Sequence, residues 1–162
     1  MALSYGKSFE LKVREDLSKI DGISVDRLYD QTGKYFGVRN ISDLVVYKFP
    51  FMVFMEVKSH KGNTFPIENL TQYDRLISKK GIKGVKAGAV IWYVDKDAVL
   101  WVPIESFERM KLDGLKSVNV VTTDRDKYNI FTIPSIKKRV FMDSDYTKLF
   151  ELWENELNGQ FD

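Results

Sequence analysis

Eight consecutive residues, Ala87 to Val94, read Ala-Gly-Ala-Val-Ile-Trp-Tyr-Val and carry no charge. A strand that apolar belongs in the interior of a sheet covered on both faces. The rest of the chain has to supply neighbours for its edges and helices for its faces. Upstream, Phe9, Val13, Leu17 and Ile20 recur at helical spacing, so a helix is expected over about 4–20, stopped by Asp21-Gly22. A short strand is expected from Ile23 to Tyr29. Asp43 to Lys48 and Met52 to Lys58 form a strand pair around Phe49-Pro50-Phe51. Residues 59–66 read as a loop, and Ile67, Leu70, Tyr73, Leu76 and Ile77 mark one face of a helix from Ile67 to Lys80. Downstream, Ala98 to Val102 reads as a strand and Pro103 to Met110 as a short helix with proline in its first turn. Val118 to Val121 and Asn129 to Ile133 read as further strands, and Asp145 to Leu157 as a closing helix. The order α-β-β-β-α-β-β-α-(β-β)-α predicts an α/β fold, a mixed sheet with helices on its faces.

Composition narrows the chemistry. A chain of 162 residues suggests a single domain, here a core over about 4–110 and an extension over 111–162 with strands and a final helix. There is no cysteine and one histidine, His60. That excludes disulfides, thiolate nucleophiles, His-rich triads and Cys or His metal cages. Any metal must be held by oxygen, which points to magnesium or manganese. No apolar run reaches the roughly 18 residues of a membrane span, and the first residues lack a signal peptide's apolar stretch. The expectation is a soluble intracellular protein without a membrane partner. Residues 31–90 hold ten Lys and Arg against four Asp and Glu, between two net-acidic flanks. A positive middle suits a polyanion, although a solvated lysine-rich surface would read the same.

One constellation stands out. Ser42-Asp43 is followed, after twelve residues, by Glu56-Val57-Lys58. Side chains alternate along a strand, so Glu56 and Lys58 share a face. The short turn at 49–51 brings Asp43 beside them. Two carboxylates at one place resist ionising unless a cation separates them. A divalent hard metal would relieve that repulsion, and Lys58 beside it would orient a water and offset transition-state charge. An edge strand with alternating charges, or an Asx turn at Asn40 to Asp43, is the structural alternative.

An Asp, a gap of about a dozen residues, then Glu-x-Lys on a hairpin resembles the PD-(D/E)xK nuclease superfamily. More closely, the chain resembles the RecU-type Holliday-junction resolvases. Gly6-Lys7-Ser8-Phe9-Glu10 is similar to that family's opening helix. Thr64-Phe65-Pro66-Ile67 follows the Glu-x-Lys strand as the family's Ser-Phe-Pro-Leu does, and Gln72 and the strand from Ala87 continue the pattern. The likeness spans about residues 5–108. It departs at Ser42, where the superfamily's name has Pro, at 68–74, which lacks the family's histidines, and at 30–42, shorter than the family's projecting stalk. The resemblance implies a restriction-endonuclease-like sheet flanked by helices, with an α-β-β-β-α-β core. It further implies a magnesium-dependent endonuclease (manganese substituting) that resolves four-way junctions in recombination and repair, working as a homodimer on branched DNA without a small-molecule cofactor. Such an enzyme would act in the cytoplasm of a bacterial or phage-infected cell. A restriction- or repair-type duplex nuclease, or a non-catalytic nucleic-acid-binding module of the same fold, are the alternatives.

By the same resemblance, Asp43, Glu56 and the Val57 carbonyl ligate the metal, and Lys58 positions the attacking water. Glu10 reaches the site from the first helix, and Gln72, or Asp74 in its place, serves Lys58 or the phosphate. Ordinary helix-surface roles are open for Glu10 and Gln72. The segment Asp30 to Asn40 reads as a projecting loop, with Lys34 and Arg39 for phosphates and Tyr35 and Phe36 for stacking on unpaired bases. Lys61 adds a cation after the strand. His60 reads as a loop residue, and Lys137-Lys138-Arg139 as a solvated run rather than a phosphate patch.

Overall fold

A computed structural model describes residues 5–29 and 40–159. Its centre is a six-stranded sheet in the order β1-β2-β3-β5-β6-β8. The strands are β1 (Ile23–Arg27), β2 (Leu44–Lys48), β3 (Phe51–His60), β5 (Val85–Tyr93), β6 (Ala98–Pro103) and β8 (Phe131–Thr132). Only β3 and β5 run parallel, in register from Met52↔Val85 to His60↔Tyr93. The expected apolar strand is β5, central and buried from Ala87 onward.

Alternation along β3 and β5 separates two cores. On one face, Val53, Met55, Val57, Val90 and Trp92 pack under α1 (Tyr5–Ser18) and α4 (Thr147–Gly159). On the other, Phe54, Ala89, Ile91 and Tyr93 pack under α2 (Tyr73–Ile77) and α3 (Ile104–Leu112). Helix α1 presents Phe9, Val13 and Leu17 to its core, as their spacing predicts, and α4 presents Leu149, Phe150 and Trp153.

Two expectations need correcting, and one hairpin was not expected. Residues 59–66 are not all loop: β3 continues to His60, and β4 (Thr64–Pro66) pairs with β7 (Ser117–Asn119). That pairing spans some fifty residues, and three residues carry no local strand signal. Nor is 67–80 one helix. It is a 3-10 turn over Ile67–Asn69, a break at Leu70, and then the five-residue α2. Ile67, Leu70, Tyr73 and Leu76 lie three apart, and that spacing suits successive 3-10 turns as well as an α-helix. The run at 135–144 is a hairpin of β9 (Ser135–Lys137) and β10 (Met142–Ser144), absent from the sequence reading because its strands are three residues long.

Gly88 lies opposite Pro103, where β5 and β6 approach closely. A Cβ there would stand 2.4 Å from the Val102 carbonyl oxygen and 3.0 Å from Pro103 Cα. Both obstacles are backbone, so neither yields without moving a strand. Gly88→Ala is expected to lower unfolding free energy by about 1–3 kcal/mol or more. Urea titration would show this as a lower midpoint at unchanged slope. A midpoint like that of the wild type would mean that β6 can shift.

Candidate active site

Strand β3 is ten residues long, but β2 is only five. Their antiparallel pairing begins at Leu44↔Met55, so β3 runs on past the point where β2 starts. The edge N–H groups of the second half of β3 then need other partners. Asp43 supplies one. Its Oδ2 accepts the Val57 N–H at 2.8 Å, taking the place of a ladder carbonyl. Its own carbonyl accepts the Leu28 N–H at 2.8 Å, just beyond β1. The buried Ser42 donates its hydroxyl to the Leu44 carbonyl at 2.8 Å. These bonds explain an acid at the head of an apolar strand, and they fix it opposite Glu56.

Glu56 is 1% exposed and points to the same face as Phe54. Its neighbour on β5 is Ala89, whose small side chain leaves room for a carboxyl group. Oε1 is 3.3 Å from Lys58 Nζ, whereas Oε2 is buried with no hydrogen-bond partner among the described residues. Burial, above all, raises the Glu56 pKa to about 8; the nearby Asp43 carboxylate adds to the rise, and Lys58 opposes it. Glu10 arrives from α1, on the opposite face of the sheet. Its Oε1 lies 2.5 Å from Arg27 Nε at the end of β1. Its pKa is raised by burial and then by the Asp43 charge, against the pull of Arg27. Three carboxyl groups therefore share one field, with Lys58 and Arg27 as the adjacent cations.

Among the described residues, no three Asp, Glu or His side chains close into a cation cage. The donors nonetheless suit a hard divalent ion. Glu56 Oε2 is a buried oxygen without a partner, set against a second carboxylate. Asp43 and Glu56 would hold such an ion, and added backbone or water oxygens would complete its shell.

Of the residues expected at the site, Asp43, Glu56 and Lys58 come together, and Glu10 joins them electrostatically. Gln72 sits just before α2, and its Oε1 accepts from the Thr71 hydroxyl at 2.8 Å rather than from Lys58. Asp74 is exposed. His60 is not a loop residue: it ends β3, edge-on to Phe65 and Tyr93. Lys61 is exposed, with its ammonium 5.2 Å from the Tyr5 ring centre. Lys34, Tyr35, Phe36 and Arg39 lie outside the described residues. Two residues escaped the sequence reading. Arg27 clamps Glu10. Arg75, on α2, donates to the Asn40 carbonyl at 3.0 Å, and the Asn40 amide donates to the Tyr29 carbonyl at 2.7 Å. The two ends of the 30–39 segment are thus tied to each other and to α2, next to Asp43. Single cations with distant partners leave no local signal.

No family model matches this chain, and no curated protein does. A solved structure does: the Holliday junction resolvase Hjc of Archaeoglobus fulgidus, at 19% identity and a TM-score of 0.51, over 70% of this chain and 88% of that one. At that identity the likeness concerns the fold. The mixed sheet flanked by helices is restriction-endonuclease-like, as expected from the sequence. The similar structure is an archaeal resolvase rather than one of the RecU type.

The buried Glu56 carboxyl makes a prediction about pH. Its pKa goes from 4.5 to about 8 on folding, so the folded, metal-free protein holds that proton more tightly than the unfolded chain. Stability is then lost as pH rises from about 4.5 through about 8, and the loss levels off above. Glu56→Gln should remove this dependence and be the more stable form above pH 8, by on the order of a few kcal/mol. Urea titrations in EDTA at pH 5 and pH 9 would measure it. Equal stability of the two forms at pH 9 would show that Glu56 ionises at no cost.

Proposed function

We propose that the chain is a metal-dependent endonuclease acting on branched DNA, a junction-resolving enzyme that hydrolyses phosphodiesters. The observation that carries this reading is the partnerless Oε2 of Glu56, buried beside Asp43 and facing the same way as Lys58. A buried carboxylate oxygen without a donor is costly unless something cationic meets it. The fold shared with the archaeal resolvase supports the nuclease class and the branched substrate.

Asp43 and Glu56 would hold magnesium, with manganese as a substitute, and the Val57 carbonyl is proposed as a third oxygen. When bound, the ion supplies Lewis-acid polarisation of the phosphoryl oxygen and a water of lowered pKa. Lys58 orients the attacking water through its ammonium and offsets the negative charge that grows on the phosphoryl oxygens. Burial strengthens that interaction. Arg27 holds Glu10 in place within the field of Asp43 and balances its charge. The water oxygen adds to phosphorus in line, and the bond from phosphorus to the 3′ oxygen breaks. The products are a 5′-phosphate and a 3′-hydroxyl, and the proton released by the water balances the one taken up by the leaving oxygen. Gln72, one turn before Arg75, would contact the scissile phosphate. Resolving a four-way junction takes two symmetric cuts, so a two-fold homodimer of the RecU type is part of the proposal.

The test is cleavage of a synthetic mobile junction beside a linear duplex of the same sequence, with magnesium or with EDTA. Magnesium-dependent, paired nicking of the junction is expected. Asp43→Asn should lower cleavage by about 100-fold or more and leave binding intact or tighter, because carboxylate–phosphate repulsion falls. Lys58→Ala should depress turnover far more than affinity. Wild-type cleavage by either variant would remove these roles, and equal cutting of duplex and junction would make the enzyme a duplex nuclease.

A further inference from the structure

The β9–β10 hairpin is locked at its base and bare at its tip. Met142 is buried, Lys12 Nζ lies 2.6 Å from Asp143, and Asp16 accepts the Ser144 N–H at 3.2 Å. The Ser135 and Ser144 hydroxyls meet at 2.8 Å, and the Lys138 N–H closes the tip onto the Phe141 carbonyl at 2.8 Å. Beyond that base, Lys137, Lys138 and Arg139 are exposed, together with Ile136 (65%) and Val140 (54%). A fixed ribbon that holds three cations and bare aliphatic side chains in solvent calls for a partner.

Its position identifies the partner. Lys137 Nζ is 5.9 Å from the Trp92 ring centre, and Trp92 is paired with Ser59, next to Lys58, in the parallel ladder. Tyr5 stands edge-on to Trp92 at 5.8 Å, and Lys61 sits over Tyr5. Lys61 and Lys137 thus flank the Tyr5–Trp92 pair at the end of the sheet where Lys58 lies, on the α1 face of the sheet, opposite the face to which Glu56 and Lys58 point. The acids of this region are engaged. Asp95 accepts the Gly62 N–H at 2.7 Å, Asp97 is 2.8 Å from Lys137, and Asp143 is shared by Lys12 and, at 3.8 Å, Lys138. Exposed pairs of this kind contribute at most about 1 kcal/mol, so phosphates displace them readily. Arg139 has no ion pair among the described residues.

We infer that this hairpin is a second DNA contact, gripping the backbone of a duplex arm that leads away from the cleaved phosphate. The inference rests on the nuclease reading above. A two-stranded ribbon also fits a major groove of about 12 Å. Lysine and arginine on its tip would displace the counterions condensed on the arm.

The test compares wild type with Lys138→Gln/Arg139→Gln and with Lys138→Glu/Arg139→Glu; both leave the Lys137–Asp97 pair in place. Binding to a fluorescent four-way junction is titrated in EDTA at several potassium chloride concentrations. The neutral variant should flatten the plot of log affinity against log salt by up to about two units per chain, and the reversed variant should bind more weakly still. The hydroxyl-radical footprint should shorten along the arms. An unchanged slope and footprint overturn the inference. So does an unchanged slope accompanied by altered sedimentation or by lost binding to anionic phosphatidylserine vesicles, which would assign the hairpin to self-association or to membranes. Wild-type binding without magnesium-dependent cleavage would strike the nuclease reading alone, since the slopes still decide the hairpin. Failure of the wild type to bind DNA would overturn both.

Discussion

The parallel pairing of β3 with β5 is the contact on which the rest of the molecule is arranged. From Met52↔Val85 to His60↔Tyr93 it joins two strands whose side chains supply both cores. Buried backbone must be hydrogen-bonded, and one edge of β3 is paired with β5 from Met52 to His60. The other edge is not paired so far, because β2 covers only its first half. The candidate site occupies this mismatch in strand length. Asp43 takes the ladder position that β2 leaves open, and its carboxylate is thereby committed next to Glu56. A structural hydrogen bond and a candidate metal ligand are two uses of one side chain. The Val57 N–H engages Oδ2 and restrains its rotation, as a preorganised site requires.

Charge follows from that placement. Phe54 and Glu56 point into the layer under α2 and α3, where the neighbour of Glu56 on β5 is the small Ala89. The site has acids from three elements and only two adjacent cations, and neither cation neutralises it. Lys58 meets one oxygen of Glu56, and Arg27 is occupied by Glu10. Once Glu56 ionises, above about pH 8, the surplus of negative charge in a poorly hydrated place makes the folded protein less stable than a neutral substitute would be. Such a local cost is characteristic of functional sites, and here the surrounding sheet sustains it.

Much of this was legible in the sequence, for physical reasons that can be named. The apolar run from Ala87 marked the centre of the sheet because a strand buried on both faces has no other composition available. Glu56 and Lys58 were legible as a pair because alternation along a strand is a local rule, and Asp43 because a short turn joins the two strands of the hairpin. The misreadings fall where local rules are degenerate or where long-range contacts decide. The spacing of Ile67, Leu70, Tyr73 and Leu76 fits two kinds of helix. Strand β4 exists only because β7 lies opposite it, and β9 and β10 only because α1 pins Asp143 and Ser144. Arg27 and Arg75 belong to the second kind, since their partners are 17 and 35 residues away.

Arg75 and Asn40 show how the parts connect. Tyr29 and Asn40 flank segment 30–39, and the Asn40 side chain ties the two. Arg75 holds the Asn40 carbonyl from α2, and Leu28 donates to the Asp43 carbonyl. The neck of the segment, the helix over the site and the first candidate ligand are therefore joined by consecutive hydrogen bonds. Displacing the neck would strain the same peptide that sets Asp43 against Val57.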